Sequence, residues 1–127
     1  MTSSFWVPGK AVGQGRISTI NGHSFHSNAK ELLPWRKLVG LTARNAGAKP
    51  VGDPIRLELV FVLGRGKTVR RAYPTVKPDI DHLIRAIFDS LTGITYFDDG
   101  QVVEVTARKI YGEVPGVTVI VLPLTSG

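Results

Sequence analysis

The sequence predicts an α+β fold in a single domain, with a mixed or mostly antiparallel sheet and two main helices. Two segments carry apolar residues at helical spacing, and several others alternate or run apolar with β-branched residues, as strands do. The 127 residues are enough for one domain with a core but too few for two. We therefore expect one domain over residues 1–127, in the order β-hairpin, α, β, α, β, β.

The first quarter of the chain predicts strands and turns. Residues 5–16 read as a strand that leads into a loop, in which the glycines of GQG (13–15) indicate a flexible turn. Residues 16–26 form two alternating runs around Asn21-Gly22. Asn-Gly is the favoured pair for a two-residue type I′ turn, because both positions need a positive φ. A β-hairpin is predicted here.

Residues 27–47 predict the first helix. Ser27 or Asn28 can cap it, and the apolar residues from Leu32 onward form a stripe. Proline fits a helix best in its first turn, so Pro34 predicts a start near residues 31–33. The cations of this segment leave a positive solvent face: Arg36, Lys37 and Arg44.

The second half begins with PIRLELVFVLG (54–64), which reads as a strand, and a basic loop over 64–78 that we expect to be mobile. The next segment has the clearest helical periodicity in the chain, with a stop at Gly93. Its apolar positions are Ile80, Leu83, Ile84, Ile87, Phe88 and Leu91. Three further strands are predicted over 94–97, 101–112 and 116–124, with a turn at 113–116 between the last two.

The composition of the chain excludes several kinds of site and suggests a class of partner. The chain has no cysteine, which excludes disulfides and thiolate metal sites, and no apolar run long enough for a transmembrane helix. Its N-terminus lacks the pattern of a secretion signal, so a cytoplasmic location is the default expectation. The net charge of +6 suggests a polyanionic partner such as nucleic acid.

Charge is distributed unevenly along the chain. Residues 79–104 hold six of the ten acidic residues against a single Lys or Arg, Arg85. Like charges that repel each other are seldom concentrated without a compensating cation, which favours a metal site over chance. The segment just before it, between Glu58 and Asp79, has five cations and no acid. These cations are Arg65, Lys67, Arg70, Arg71 and Lys77.

Asp79 and Asp81 are the leading candidates for metal ligands. Pro78 favours extended structure before it, and a helix that starts at Asp81 would let both carboxylates face one point while Asp81 caps the helix. Two oxygen ligands suit Mg²⁺ or Mn²⁺. Asp98 or Asp99, in the turn after the helix, could supply a third carboxylate. The alternatives are an ordinary solvent-facing helix and an ordinary Asp-Asp-Gly turn.

The basic loop is a candidate for DNA contact. Its cations could follow a phosphate backbone, and Tyr73 among them could stack on a base. An ordinary solvated loop would have the same composition. Its position directly before the acidic segment favours a functional role, because basic arms would hold the DNA that carboxylates repel.

Residues 77–102, KPDIDHLIRAIFDSLTGITYFDDGQV, resemble the signature of RusA-type Holliday junction resolvases. In that family an Asp-x-Asp opens a helix and an Asp-Asp-x-Gln-Val follows a short loop. VPGKAVGQGR (7–16), which ends at Arg16, resembles the family's N-terminal strand and turn. The resemblance implies a homodimeric, Mg²⁺-dependent endonuclease that makes paired cuts in four-way DNA junctions. It implies Asp79, Asp81 and Asp99 as the catalytic metal ligands and leaves the role of Asp98 open.

The chain departs from the family pattern at two positions. His82 replaces the usual Asn and could be a metal-shell or proton-shuttle residue, although a solvent-facing histidine is the simpler interpretation. Arg85 replaces the usual Lys; it can grip a phosphate but cannot act as a general base. Asp89, two turns after Asp81, is expected to be only a solvated charge.

The function that follows is metal-assisted hydrolysis of DNA phosphodiesters at four-way junctions, in recombination and repair, by a bacterial or phage-encoded homodimer. Asp79, Asp81 and Asp99 would hold Mg²⁺, with Mn²⁺ as a substitute, and Arg85 would stabilise the phosphate. Arg16 and the basic loop would contact DNA. A nuclease that cuts flaps, branches or replication forks, and a non-catalytic DNA-binding protein, remain alternatives.

Overall fold

The chain forms an α+β domain in this computed structural model, which describes residues 2–15, 17–26 and 28–125. Two α-helices lie on a four-stranded mixed sheet, and a separate two-stranded hairpin follows the first strand within these described ranges. The elements are β1 Ser3–Pro8, β2 Ile17–Ile20, β3 His23–His26, α1 Ala29–Asn45, β4 Ile55–Gly64, α2 Ile80–Leu91, a 3₁₀ turn Asp99–Gln101, β5 Val102–Gly112 and β6 Gly116–Pro123.

The sheet has the strand order β1-β6-β4-β5. β6 pairs antiparallel with both β1 and β4, whereas β5 pairs parallel with β4. A parallel pair needs a long crossover, and α2 with its flanking segments supplies it. The mixed sheet that the sequence predicts is therefore confirmed, with β5 at one edge.

The core lies between the two helices and one face of the sheet. Alternate residues of β4 face the helices and are buried, namely Ile55, Leu57, Leu59 and Phe61. The apolar stripe of α2 packs in the same cluster, through Leu83, Ile87 and Leu91, as does α1 through Leu32, Trp35 and Val39. This packing fixes the position of α2, and so of the acidic residues at its start.

The two helices approach closely at Gly40 of α1. A Cβ built on Gly40 would lie 2.8 Å from Cδ1 of Ile94 and 3.5 Å from the carbonyl oxygen of Ser90. A side chain at this position would first have to displace the end of the Ile94 side chain, so the small size of glycine allows the close packing seen here.

The hairpin and the periodicity of α2 are confirmed, but the predicted start of α1 is wrong. Asn21 and Gly22 both have positive φ, 50° and 80°, as a type I′ turn requires. α1 begins at Ala29 and keeps Pro34 inside it. The carbonyl of Asn28 accepts from the N–H groups of Glu31 and Leu32, which anchors the first turn before the proline removes one bond to Lys30.

Two smaller predictions also need correction. Residues 94–97 do not form a strand; Tyr96 makes only isolated bridges, to Val51 and Thr92. Asp81 is not the N-cap of α2, because Asp79 holds that position with extended φ and ψ, and the helix begins at Ile80. Among the described residues, no helix is long and apolar enough to cross a membrane.

Candidate active site

The entrance of α2 places two aspartates side by side. Asp79 is the last extended residue, at φ −71° and ψ 141°, and Asp81 lies in the first helical turn. The Asp79 side chain makes no capping bond to the helix backbone, so its carboxylate remains available for other partners. Negative charge at this end is favoured by the helix dipole.

Asp79, Asp81 and His82 form a cluster that could hold a metal ion. Each offers one ligand atom, and these atoms all lie within 4.8 Å of one another. Nε2 of His82 lies 3.9 Å from a carboxylate oxygen of Asp81. Two carboxylates with one imidazole form a donor set that suits Mn²⁺ and is compatible with Mg²⁺. The sequence offered His82 only as a secondary candidate, yet the structure places it inside this cluster.

One lysine contacts the Asp79 carboxylate and a second contributes charge nearby. Nζ of Lys77 donates a hydrogen bond to Asp79 at 2.7 Å. This bond lowers the pKa of Asp79 below its ordinary value, and the charge of Lys109 acts in the same direction. Asp79 is therefore fully ionised at neutral pH, as a metal ligand must be.

Asp99 lies with Arg85, outside the cluster at the helix entrance. Nη1 of Arg85 is 3.8 Å from the Asp99 carboxylate, and its Nε is 4.0 Å from that of Asp89. Asp89 thus lies beside Arg85 with its side chain only 23% exposed, and it is not the freely solvated charge that the sequence indicated. Arg85 follows Asp81 by one helical turn. The Asp79–Asp81 pair and the Asp89–Asp99 pair therefore lie along the same face of α2.

The described residues bring together two of the three predicted metal ligands. Asp79 and Asp81 meet at one point, whereas Asp99 is not part of their group. Its negative charge is instead felt by the buried Tyr96. Burial raises the pKa of Tyr96, and the Asp99 carboxylate adds to that shift. The Tyr96 hydroxyl donates to the carbonyl of Phe88 at 2.9 Å, which ties the turn to α2.

Gln101 anchors the turn that presents Asp99. Its Oε1 accepts from the backbone N–H groups of Phe97 and Asp98, at 2.9 and 3.0 Å. Its Nε2 donates to the carbonyls of Val51 and Asp53, at 2.8 and 2.9 Å. Asp98, whose role the sequence left open, accepts from the Gly100 N–H and completes a capping box with Gln101. Asp98 therefore shapes the turn from which Asp99 approaches Arg85.

The N-terminal loop packs against the entrance of α2. The backbone N–H of Gln14 donates to the carbonyl of His82 at 3.0 Å, and Asn28 Nδ2 donates to the carbonyl of Gly13 at 2.8 Å. A Cβ on Gly13 would lie 2.9 Å from Cβ of His82. The glycine that the sequence assigned to a flexible turn is required for this contact. An open cleft of about 570 Å³ lies between this loop and Asp79.

Lys109 of β5 connects the sheet to the segment that enters α2. Its Nζ donates to the carbonyls of Val76 and Pro78, at 2.7 and 2.8 Å. These carbonyls closely precede Asp79 in the chain, so Lys109 helps to fix where that carboxylate lies. Sequence reasoning missed this residue, because a lysine in a predicted strand gives no signal of such a contact.

The predicted DNA-contact residues lie mainly on the exposed basic loop. Arg65, Lys67, Arg70, Arg71 and Lys77 are all exposed, and Tyr73 is 70% exposed, which leaves its ring free to stack. Arg16 lies outside the described residues.

The loop is anchored to the sheet by Tyr111 of β5. The guanidinium groups of Arg65 and Arg71 lie over the Tyr111 ring, 5.0 and 5.9 Å from its centroid, and Arg65 also donates to the carbonyl of Arg71. Aromatic rings attract cations at such distances. Two of the predicted DNA-contact cations are thus positioned by an aromatic residue for which the sequence gave no functional signal.

Comparison with known proteins identifies the family of the chain. The sequence model of the family described as Endodeoxyribonuclease RusA matches residues 8–122, nearly the whole chain. The chain belongs to the RusA endodeoxyribonuclease family. It is also similar to the uncharacterized protein YqaN of Bacillus subtilis (strain 168), with 42% identity over 132 residues, which cover 92% of this chain and 93% of YqaN.

The family match confirms the resemblance drawn from residues 77–102. RusA proteins are endodeoxyribonucleases that act on branched DNA, so the acidic residues at the start of α2 belong to a family of DNA-hydrolysing enzymes. The matched segment includes the α2 entrance, the basic loop and the Gln101 turn.

Proposed function

We propose that this protein is a Mg²⁺-dependent, structure-specific endodeoxyribonuclease that resolves four-way junctions by paired, symmetric cuts. The observation that carries the proposal is the cluster of Asp79, Asp81 and His82 at the start of α2, directly beside the basic loop. A nuclease needs both features, a metal-binding carboxylate site and cations that hold the DNA close to it. The family match supports the same activity.

Asp79 and Asp81 would hold the metal, with Asp99 as the third carboxylate and Mn²⁺ as a possible substitute for Mg²⁺. The donor set fits, because the Asp79 and Asp81 carboxylates and the His82 ring already offer ligand atoms within 4.8 Å of one another. A bound divalent ion supplies Lewis-acid polarisation of the scissile phosphate and lowers the pKa of the attacking water. Lys77, whose side chain is 81% exposed, can swing away from Asp79 at little cost when the ion binds.

Arg85 would stabilise the phosphate during the reaction. Its guanidinium carries a fixed charge and can donate two parallel hydrogen bonds to phosphate oxygens. In this structure it lies between the carboxylates of Asp89 and Asp99, at 4.0 and 3.8 Å, which is longer than a hydrogen bond. These loose ion pairs leave the guanidinium free to turn toward DNA, and its departure would release the Asp99 carboxylate.

The basic loop and the cationic face of α1 would bind the junction arms. Arg70 and Arg71 of the loop are exposed, as are Lys37 and Arg44 of α1. Contacts of this kind bind phosphates irrespective of sequence and weaken as salt rises. Tyr73 is the exposed aromatic ring of this loop and is available to stack on a base at the junction.

Paired cuts on opposing strands need two active sites, so we propose that the working enzyme is a homodimer. It would act in DNA recombination and repair in the cytoplasm of a bacterium, encoded by the host or by a resident phage.

The proposal is tested with a labelled four-way junction and a matched linear duplex, each incubated with Mg²⁺ or with EDTA. We expect paired, symmetric nicks in the junction, only with Mg²⁺, and an intact duplex. The Asp79→Asn variant should bind the junction but not cut it, whereas Asp53→Asn, which changes an exposed carboxylate outside the cluster, should cut normally. Metal-independent cutting, or normal cutting by Asp79→Asn, would refute the proposed site. Equal cutting of flaps or forks would refute the junction specificity.

A further inference from the structure

The outer edge of β5 is the feature that the proposed nuclease site does not explain. β5 is 11 residues long and stands at the end of the strand order, with β4 as its only neighbour in the sheet within the described residues. An edge of this length presents a row of unpaired backbone donors and acceptors, and proteins usually shorten, twist or cover such edges. A long, uncovered edge strand can therefore pair with a strand of another molecule.

Apolar side chains near this edge are more exposed than their position suggests. Val105 pairs in register with Leu57, so both side chains point to the helix-bearing face of the sheet. Leu57 is fully buried there, but Val105 is 40% exposed and Val103 is 65% exposed. Phe97, which precedes β5, is 63% exposed as well. The helices thus cover the sheet as far as β4 and leave part of β5 open.

We propose that this edge binds the same edge of a second copy of the chain, with the two β5 strands antiparallel and a two-fold axis at Thr106. The inference rests on the dimer in the proposed function and specifies its contact surface. It would join the two sheets into one continuous sheet of eight strands, with the helices of both subunits on the same face. Such a contact is isologous and closes after two subunits.

The charges of β5 select this register. About an axis at Thr106, Glu104 faces Arg108 of the partner subunit, and the partner subunit's Glu104 faces Arg108 in turn. These side chains share the helix-free face of the sheet, because Glu104 and Arg108 pair in register with Arg56 and Val60 of β4. Opposite charges directly across an antiparallel pair are favourable, as is a threonine opposite a threonine.

The neighbouring symmetric registers lack this match. An axis at Val105 would place Glu104 opposite a threonine, and an axis at Ala107 would place Val105 opposite a lysine, Lys109, whose amine is engaged with the segment before α2. The axis at Thr106 instead places Val105 opposite an alanine, Ala107, so that an exposed apolar side chain gains an apolar neighbour. The charged pairs and the apolar pairs therefore both favour the register with its axis at Thr106.

Glu104 is already oriented for this contact. Its carboxylate lies 3.5 Å from Nε of Arg56 on the same face, and its side chain is still 55% exposed. An arginine from the partner subunit can therefore reach the carboxylate from the open side. Glu104 would then lie between two guanidinium groups, one from each subunit.

A cysteine at the axis tests the register directly, because the chain contains no cysteine of its own. In the proposed pairing the two Thr106 Cα atoms lie about 4.5–5.5 Å apart, within the range that a disulfide spans. The Thr106→Cys variant should therefore form a covalent dimer under mild oxidation. Arg108→Cys is the matched control, since its two copies would lie about 13 Å apart and should stay unlinked.

Charge reversal tests the same register without a disulfide crosslink. In sedimentation equilibrium, wild type should be dimeric, and Glu104→Arg and Arg108→Glu should each weaken dimerisation at least tenfold. The double variant should recover part of the lost affinity, because the two charges across the interface are exchanged; the recovery is incomplete, since an arginine at position 104 would lie beside Arg56 of its own subunit. Circular dichroism melts show that each variant remains folded. A wild type that is monomeric at about 100 µM, or a dimer that neither crosslinks through Thr106→Cys nor responds to charge reversal, would overturn the inference.

These measurements contain neither DNA nor metal, so they are independent of the nuclease activity. Crosslinking through Thr106→Cys in a protein that fails to cut junctions would refute the proposed function and leave the interface standing. Junction cleavage by a protein that pairs through another surface, such as the helix-free face of the sheet, would refute the interface alone.

Discussion

Gln101→Glu is the substitution that probes most sharply how the Asp99 turn is held. Glutamate has the shape of glutamine, but it replaces the Nε2 amide donor with an oxygen. That oxygen would face the carbonyls of Val51 and Asp53, to which Nε2 now donates at 2.8 and 2.9 Å. Two hydrogen bonds are lost and two carbonyls meet a negative charge. At about 1 kcal/mol for each bond, and because water can reach the partly exposed site, we expect a loss of about 2 kcal/mol in the free energy of unfolding.

The assay is thermal unfolding as a function of pH. For a chain of this size about 2 kcal/mol corresponds to a decrease of about 7 °C in Tm. The negative charge is disfavoured in the folded state, so folding raises the pKa of the introduced carboxyl, and protonation below about pH 4–5 returns a donor and reduces the difference from wild type. Gln101→Met is the control without a titratable group: it removes these two bonds and also the two that Oε1 accepts from Phe97 and Asp98, so its loss of stability should be larger but should not vary with pH. A Gln101→Glu protein that melts with wild type at pH 7 would refute the assigned role.

Three other substitutions test the surroundings of the site. Tyr111→Leu should weaken junction binding and reduce its salt dependence, because Arg65 and Arg71 lose the ring that positions them. Tyr111→Phe should leave junction affinity and its salt dependence unchanged, since the Tyr111 hydroxyl is buried without a hydrogen-bond partner among the described residues. Lys109→Met should cost about 1–2 kcal/mol of stability and lower kcat more than junction affinity, because two carbonyls next to Asp79 lose their donor. Arg85→Ala should lower kcat by about 10²-fold with junction affinity nearly unchanged, and Arg85→Lys should recover part of the loss; equal defects in the two variants would show that charge at this position is not what matters.

The parts of the fold that the sequence predicted are those governed by local rules. The helical spacing of Leu83, Ile87 and Leu91 predicted α2 nearly to the residue, and Asn21-Gly22 predicted the hairpin turn. Pro34 misled because the local preference against proline in a helix is outweighed by the packing of Trp35 and Val39 in the core. The segment 94–97 looked like a strand, yet Tyr96 is buried for a different reason, because it connects the turn to α2.

In the candidate site, too, the sequence predicted the contacts between residues close in the chain and missed those between distant residues. Asp79 and Asp81 are two residues apart, so their proximity follows from the bend of the chain at the helix entrance. The partners of Gln101 lie about 50 residues away in the sequence, and those of Lys109 about 30 residues away. Contacts of that separation depend on the strand order of the finished sheet, which periodicity does not encode. The position of Asp99 beside Arg85 depends on them in turn.

The central claim is that the Asp79–Asp81–His82 cluster binds the divalent ion, and Mn²⁺ binding in the absence of DNA tests it most directly. Electron paramagnetic resonance measures free Mn²⁺ in a titration of wild type, Asp79→Asn and the control Asp53→Asn. We expect wild type and Asp53→Asn to bind with the same affinity and Asp79→Asn to bind at least about tenfold more weakly. Equal Mn²⁺ affinity in wild type and Asp79→Asn would contradict the account.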